Sequence, residues 1–276
     1  MGLRINTNLA AIIAHRRLGK AQEQTEHAIG ALSSGQRIVK PGDDAAGLAI
    51  SENLRGQIAS IKQARSNAFN AGSMIQVAEG GLNEQNNILI RLRELAIQAA
   101  SDNVSDTERG FLNKEYESLT MEFDRIAKTT RFGNKVLLEG NGGEYTFHVG
   151  AFAGPENRIQ YKLDANSTAG QLNLDGLSIK DRDDAQDNLE KLDKALVGIS
   201  SIRANFGAIQ SRLAATTANL DTQFENLSAS RARLADADIA YETSQLIQSQ
   251  VLQDAGISVM AQANQIPLKA AKLLNF

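Results

Sequence analysis

Few side chains in this sequence could do covalent or metal chemistry. Cysteine is absent, and imidazoles occur only at His15, His27 and His148. That composition removes disulfide scaffolds, thiolate metal sites and cysteine nucleophiles together. The adjacent carboxylates Asp43 and Asp44 are of the type used for paired acid–base work, but no histidine or second acidic cluster accompanies them to complete such a site. They follow Pro41-Gly42 and precede a long apolar-periodic stretch, the place where an aspartate caps a helix. Gly140, Gly142 and Gly143 lack the Lys-Ser/Thr of a phosphate loop and read as turn residues. Asn103-Val104-Ser105, Asn166-Ser167-Thr168 and Asn226-Leu227-Ser228 have the glycosylation-sequon form, a pattern too short to decide anything. No residue is therefore assigned to catalysis, to a cofactor or to a metal, and the chain is expected not to be an enzyme.

The elements that could position side chains are helical rods. The 276 residues are 42% hydrophobic but only 5% aromatic, without Trp. Aromatics usually fill much of a compact core, so Leu, Ile, Val and Ala must be buried along extended surfaces instead. From Leu54 one position recurs every seven residues as Ile61, Ala68, Ile75, Leu82, Leu89 and Ala96. A flanking row runs Ile50, Gln57, Ala64, Ala71, Ala78, Gln85, Leu92 and Ala99. The second half repeats the device with Leu192, Ile199, Phe206, Leu213, Leu220, Leu227 and Leu234, beside Ala195, Ile202, Ile209 and Thr216. Sustained heptads keep one seam facing a partner, so these two stretches should pack against each other. A third helix is expected after Ser105-Asp106-Thr107-Glu108, a capping box, with Leu112, Tyr116, Leu119, Phe123 and Ile126 as its apolar stripe.

Between residues 140 and 180 the period changes to two. Tyr145, Phe147 and Val149, then Ile159, Tyr161 and Leu163, alternate with polar residues around the turn Gly154-Pro155-Glu156-Asn157, predicting a hairpin. Leu172-Asn173-Leu174 and Leu177-Ser178-Ile179 are read as further short strands.

Lys and Arg total 29 against 32 Asp and Glu, a net charge of −3, which argues against a dedicated nucleic-acid binder. No run approaches the roughly 20 apolar residues of a membrane span, so no membrane insertion is expected. Leu9 to Ala14 is too short for the apolar core of a cleaved signal and ends at His15-Arg16-Arg17, so any export is expected to use another route. The two ends are unusual. Residues 1–42 carry Arg4, Arg16, Arg17, Lys20, Arg37 and Lys40 against Glu23 and Glu26. Thr243 to Leu268 carries one charge, Asp254, yet is rich in Gln, Ser and Asn. Such a surface suits a helix packed among copies of itself, because unpaired charge is costly to desolvate. Neither end has a complete partner surface, and ordering costs roughly 1–2 kcal/mol per residue, so both are expected to be largely unfolded in a free monomer.

The chain resembles bacterial flagellin over essentially its whole length. Ile5-Asn6-Thr7-Asn8, Leu32-Ser33-Ser34-Gly35-Gln36-Arg37-Ile38, Asp43-Asp44-Ala45-Ala46-Gly47-Leu48-Ala49-Ile50, Gln76-Val77-Ala78-Glu79-Gly80 and Arg91-Leu92-Arg93-Glu94-Leu95-Ala96 carry the N-terminal resemblance. Ala261-Gln262-Ala263-Asn264-Gln265-Ile266-Pro267 and Leu273-Leu274 carry the C-terminal one. It implies a mainly α fold, a long antiparallel coiled-coil rod with a small β-hairpin region, whose N- and C-terminal helices pair into an inner domain. The expected division is 1–42 (N-terminal inner helix), 43–139 (N-terminal rod helices), 140–184 (β-hairpin region), 185–234 (C-terminal rod helix) and 235–276 (C-terminal inner helix), without outer surface domains. The resemblance further implies a structural subunit that is exported by the flagellar secretion apparatus and self-assembles into an extracellular filament for swimming.

Partners implied in the same way are other copies of the chain, an export chaperone, the filament cap and hook–filament junction proteins. A Toll-like innate-immune receptor would be met through Arg91, Leu95 and Glu115, which match recognised family members; Arg91 and Leu95, four apart, are expected on one helix face. The expected polymerisation core is Ile5, Leu9, Ile12, Leu246, Ile247, Val251, Leu252, Met260 and Ile266. The alternatives are a hook–filament junction protein of the same architecture and a cytoplasmic coiled-coil scaffold, which would not need the charge-poor C-terminal helix.

Overall fold

The computed structural model describes residues 7–140 and 143–274, from 268 onward by backbone alone. Ile5 and Gly142 lie outside the described residues, as do the side chains of Leu273 and Leu274. The order is α1 (Leu9–Ser34), α2 (Ala45–Ala99), α3 (Asp106–Thr129), β1 (Arg131–Phe132), β2 (Lys135–Val136), β3 (Glu144–His148), β4 (Arg158–Lys162), α4 (Arg182–Ala235) and α5 (Ile239–Leu274). Two compact units result, one joining residues up to Gln57 with those from Asn226, the other running from Ile58 to Glu225. The division falls inside α2 and α4, not at the 42/43 and 234/235 boundaries expected from sequence.

In the 58–225 unit the heptad rows become the core. Ile61, Ala68, Ile75, Leu82, Leu89 and Ala96 on α2 are buried, as are Leu192, Ile199, Phe206, Leu213 and Leu220 on α4. Arg65 with Asp221, Glu79 with Arg203 and Arg93 with Asp193 fix the two helices as antiparallel. The α3 capping box forms as expected: the Ser105 hydroxyl accepts from the Glu108 amide, and the Glu108 carboxylate accepts from the Ser105 amide. Arg109, 8% exposed, donates to the Ala99 and Ser101 carbonyls and so satisfies the C-terminus of α2.

The hairpin β3–β4 pairs Tyr145 with Tyr161 and Phe147 with Ile159, placing the predicted apolar set inward. The pair β1–β2 was not expected; its turn begins at Gly133, whose φ of 60° glycine adopts without strain. The strands expected at Leu172–Leu174 and Leu177–Ile179 do not form. Leu174 and Ile179 are buried there by turns: Asn173 takes φ 54°, the Leu174 amide donates to the Ala169 carbonyl, and the Ile179 amide donates to the Asn113 side chain. Side-chain and turn acceptors replace a strand ladder, so the short alternation of apolar residues misled.

In the other unit α1 and α5 pack together. Gly35, left-handed at φ 68°, ends α1, and its carbonyl accepts from the Ala237 amide while the Arg37 amide donates to the Ala235 carbonyl. Asp44 caps α2 by accepting from the Gly47 amide at 2.8 Å; Asp43 instead accepts from the Val39 and Lys40 amides and lies 3.1 Å from His27. The two carboxylates are thus spent on a helix start and a loop closure.

Candidate assembly surface on the terminal helices

The α1–α5 pair is built with its small residues inside. On α1 the rows Ala14, Ala21, Ala28 and Ala11, Leu18, Thr25 face inward. On α5 the inward rows are Glu242, Ser249, Gly256, Ala263 and Leu246, Gln253, Met260. Both sets repeat every seven residues, the spacing of a coiled-coil seam. Asn8 binds both helices: its Oδ1 accepts from the Ala11 amide, capping α1, and its Nδ2 donates to the Ala263 carbonyl at 2.8 Å.

The large aliphatics point the other way. Leu9 and Ile12 are each 56% exposed, Ile247 57%, Val251 61% and Leu252 51%. Ile13, Ile239, Tyr241, Ile257, Val259 and Ile266 are exposed as well. A buried alanine methyl contributes on the order of 0.8 kcal/mol, a buried Leu or Ile about 1.5–3 kcal/mol, and each ordered residue costs roughly 1–2 kcal/mol. The internal seam therefore offsets only a small part of the ordering cost, and most of the available apolar burial lies outside the pair. Both described ends are helical where they pair, α1 with α5, and so small an internal gain is in keeping with the expectation that they order fully only against further copies.

Of the expected polymerisation residues, Leu9, Ile12, Ile247, Val251, Leu252 and Ile266 lie on the outward surface. Leu246 and Met260 do not: both are half-buried in the seam against α1, because they share a heptad row with Gln253. The sequence reading missed Asn8, Ile13, Ile239, Ile257 and Val259. A helical projection of α1, with alanine at every seventh position and aliphatics opposite, carries the signal that finds Ile13.

The expected receptor residues separate. Arg91 and Glu115 form an exposed ion pair between α2 and α3, 2.8 Å apart, and Arg91 also reaches Glu94. The two carboxylates raise the Arg91 guanidinium above its ordinary value. Leu95 is fully buried in the core. Four residues of helix turn the chain by about 40°, enough to carry position 95 from the rim into the seam, so Leu95 and Arg91 do not share an exposed face.

No helix among the described residues is long and apolar enough to cross a membrane. Residues 5–142 match the bacterial flagellin N-terminal helical region and residues 189–274 its C-terminal helical region. Flagellin of Halalkalibacterium halodurans is 39% identical over 271 residues, covering 98% of this chain and 99% of that one. Flagellin of Bacillus subtilis is 36% identical over 309 residues, covering 99% of this chain and 100% of its own. The crystal structure of Bacillus cereus flagellin aligns with a TM-score of 0.51 at 28% identity, over 60% of this chain and 94% of that one. Heptad rows, terminal pairing and these full-length similarities converge: the chain belongs to the bacterial flagellin family.

Proposed function

We infer how the chain does its work from one observation, that α1 buries Ala14, Ala21 and Ala28 while Leu9, Ile12, Ile247, Val251 and Leu252 of the paired terminal helices stay exposed. As a flagellin it is a structural subunit of the bacterial flagellar filament, outside the cell, and serves swimming motility. Its own copies supply the missing apolar contacts. Contiguous apolar surface on this scale marks an interface in a soluble protein, and closing it between copies recovers the burial that the internal seam leaves unused. The work is mechanical, and no catalytic step is assigned to any residue. The hook–filament junction reading is not favoured, since the full-length relatives are flagellins.

Further partners belong to this reading. The charge-poor, aliphatic face of α5 suits a cytoplasmic export chaperone that shields it before secretion, and the filament cap and junction proteins meet the same terminal surfaces at the two ends of the polymer. A Toll-like receptor would contact the exposed Arg91–Glu115 pair, with Leu95 acting only as the support beneath it. Truncation tests the reading: a chain lacking residues 243–276 is expected to stay soluble, with the 58–225 unit folded, and to form no filaments by electron microscopy. Filaments from that chain overturn it.

A further inference from the structure

Pro267 lies inside α5, with helix on both sides of it. Proline has no backbone N–H, so the carbonyl four residues earlier, that of Ala263, receives no donor from its own helix. Ala263 is 4% exposed and belongs to the row that faces α1. A carbonyl left there without a partner is costly.

The missing donor comes from the other end of the chain. Asn8 Nδ2 donates to the Ala263 carbonyl at 2.8 Å. Asn8 Oδ1 meanwhile accepts from the Ala11 amide at 3.1 Å, one of the amides that the start of α1 leaves without a helical partner. One side-chain amide thus closes two gaps of opposite kind, the first at a helix start and the second at a proline. Its orientation follows from these partners, since turning it over would set donor against donor and acceptor against acceptor. Two of the stretches that carry the family resemblance, the one ending at Asn8 and the one ending at Pro267, meet in this contact.

We infer that Asn8, Ala263 and Pro267 form a register latch, which orders the start of α1 against α5 at one offset. The seam alone does not choose that offset well: Ala14, Ala21 and Ala28 are alike and buried alike, so a slide by one heptad keeps small residues inside. Such a slide, about 10 Å along the axis at about 1.5 Å per residue, takes Asn8 away from the carbonyl that Pro267 frees, while other carbonyls in the helix interior have their own amide donors. Asn8 is therefore a positioning residue. The aliphatic face of Leu9, Ile12, Ile247, Val251 and Leu252 that copies must cover is composed only at the latched offset.

This inference rests on the filament reading and deepens it. Its test uses the critical concentration for polymerisation of the full chain. Asp and Ser cap helices as Asn does, but an ionised Asp has no proton to donate and a Ser hydroxyl is too short to serve Ala11 and Ala263 together. Asn8→Asp and Asn8→Ser are each expected to raise the critical concentration about tenfold, the effect of stripping a buried carbonyl of its donor. Pro267→Ala returns a backbone N–H to the Ala263 carbonyl and should polymerise. In that background Asn8→Ser should raise the critical concentration less than about threefold, a coupling that a plain capping role for Asn8 would not show. An unchanged critical concentration for Asn8→Asp and Asn8→Ser, an equal effect of Asn8→Ser in both backgrounds, or loss of polymerisation with Pro267→Ala overturns the latch and leaves the filament reading standing. Failure of the wild-type chain to polymerise overturns the filament reading and the latch with it.

Discussion

Gly256 of α5 sits against Leu18 of α1: a Cβ at position 256 would stand 3.4 Å from the Leu18 Cδ1, ordinary van der Waals contact. The two helices are therefore one methyl group from full approach at this point. Gly256→Ala should assemble normally and gain about 1 kcal/mol of helix propensity. Gly256→Leu has no room and should separate α1 from α5, lowering helicity of the terminal pair and filament yield. Circular dichroism and a sedimentation assay check both.

A neighbouring pair of glycines on α2 gives a sharper contrast. Nothing lies within 4 Å of a Cβ at Gly80, whereas one at Gly81 would fall 2.6 Å from the Thr130 hydroxyl and 2.9 Å from Leu138 Cδ1. Gly80→Ala should stabilise by about 1 kcal/mol, the ordinary gain of alanine in a helix. Gly81→Ala should destabilise despite the same propensity gain, since core overpacking costs typically 1–3 kcal/mol. Urea unfolding midpoints of the two variants should move in opposite directions.

Two polar groups in the core of the 58–225 unit predict opposite mutational signs. The Tyr116 hydroxyl is buried without a partner, and burial pushes its pKa up to about 12. Tyr116→Phe should leave stability unchanged or raise it by about 1 kcal/mol, because it removes an unsatisfied group. Gln85, fully buried, donates to the Phe123 and Ser167 carbonyls and ties α2, α3 and the 165–169 segment together. Gln85→Ala leaves a cavity and strips both carbonyls of their donor, and should cost about 2–4 kcal/mol. Thermal denaturation compares them.

These contrasts show how far the sequence could be read. Leu82, Leu89, Ile199 and Phe206 announced the long helices and their mutual packing through spacing, the antiparallel sense coming only with the family resemblance, and Ser105 with Glu108 marked the start of α3. Asn113 and Gln85 did not announce themselves, because a polar residue on a heptad row becomes a clasp only when a distant carbonyl or amide meets it. Leu174 and Ile179 were read as strand residues because two alternating apolar positions look alike in a strand and in a buried turn. Leu95 was misplaced for a related reason: four-residue spacing fixes a face to within about 40° and does not say where the rim ends. The terminal surface was legible as composition, and the alanine row of α1 in its spacing, while which apolar residues of α5 turn inward (Leu246, Met260) and which stay exposed (Ile247, Val251, Leu252) required the pairing itself.

Acid should loosen the start of α2. The Gly47 amide, and then Arg37, hold the Asp44 carboxyl below its ordinary value of 3.8. A carboxylate with a lowered folded-state pKa gives stability that is present above the unfolded value and is lost as pH falls through the folded one. Unfolding midpoints should thus be flat in Asp44's contribution above the ordinary carboxylate range and fall below it. Asp44→Ala should flatten that acid limb and lower the midpoint at neutral pH, and Asp44→Asn, which keeps a capping acceptor, should lower it less.

Sedimentation of filaments formed by a chain carrying Ile247→Asn and Val251→Asn tests the account at its centre. Both side chains are exposed in the single chain, so the free protein should keep its helicity and thermal midpoint. The account predicts that this variant stays in the supernatant at concentrations where the wild type pellets as filaments. Pelleting at the wild-type concentration would contradict it, since the outward aliphatic face would then be no part of what joins one copy to the next.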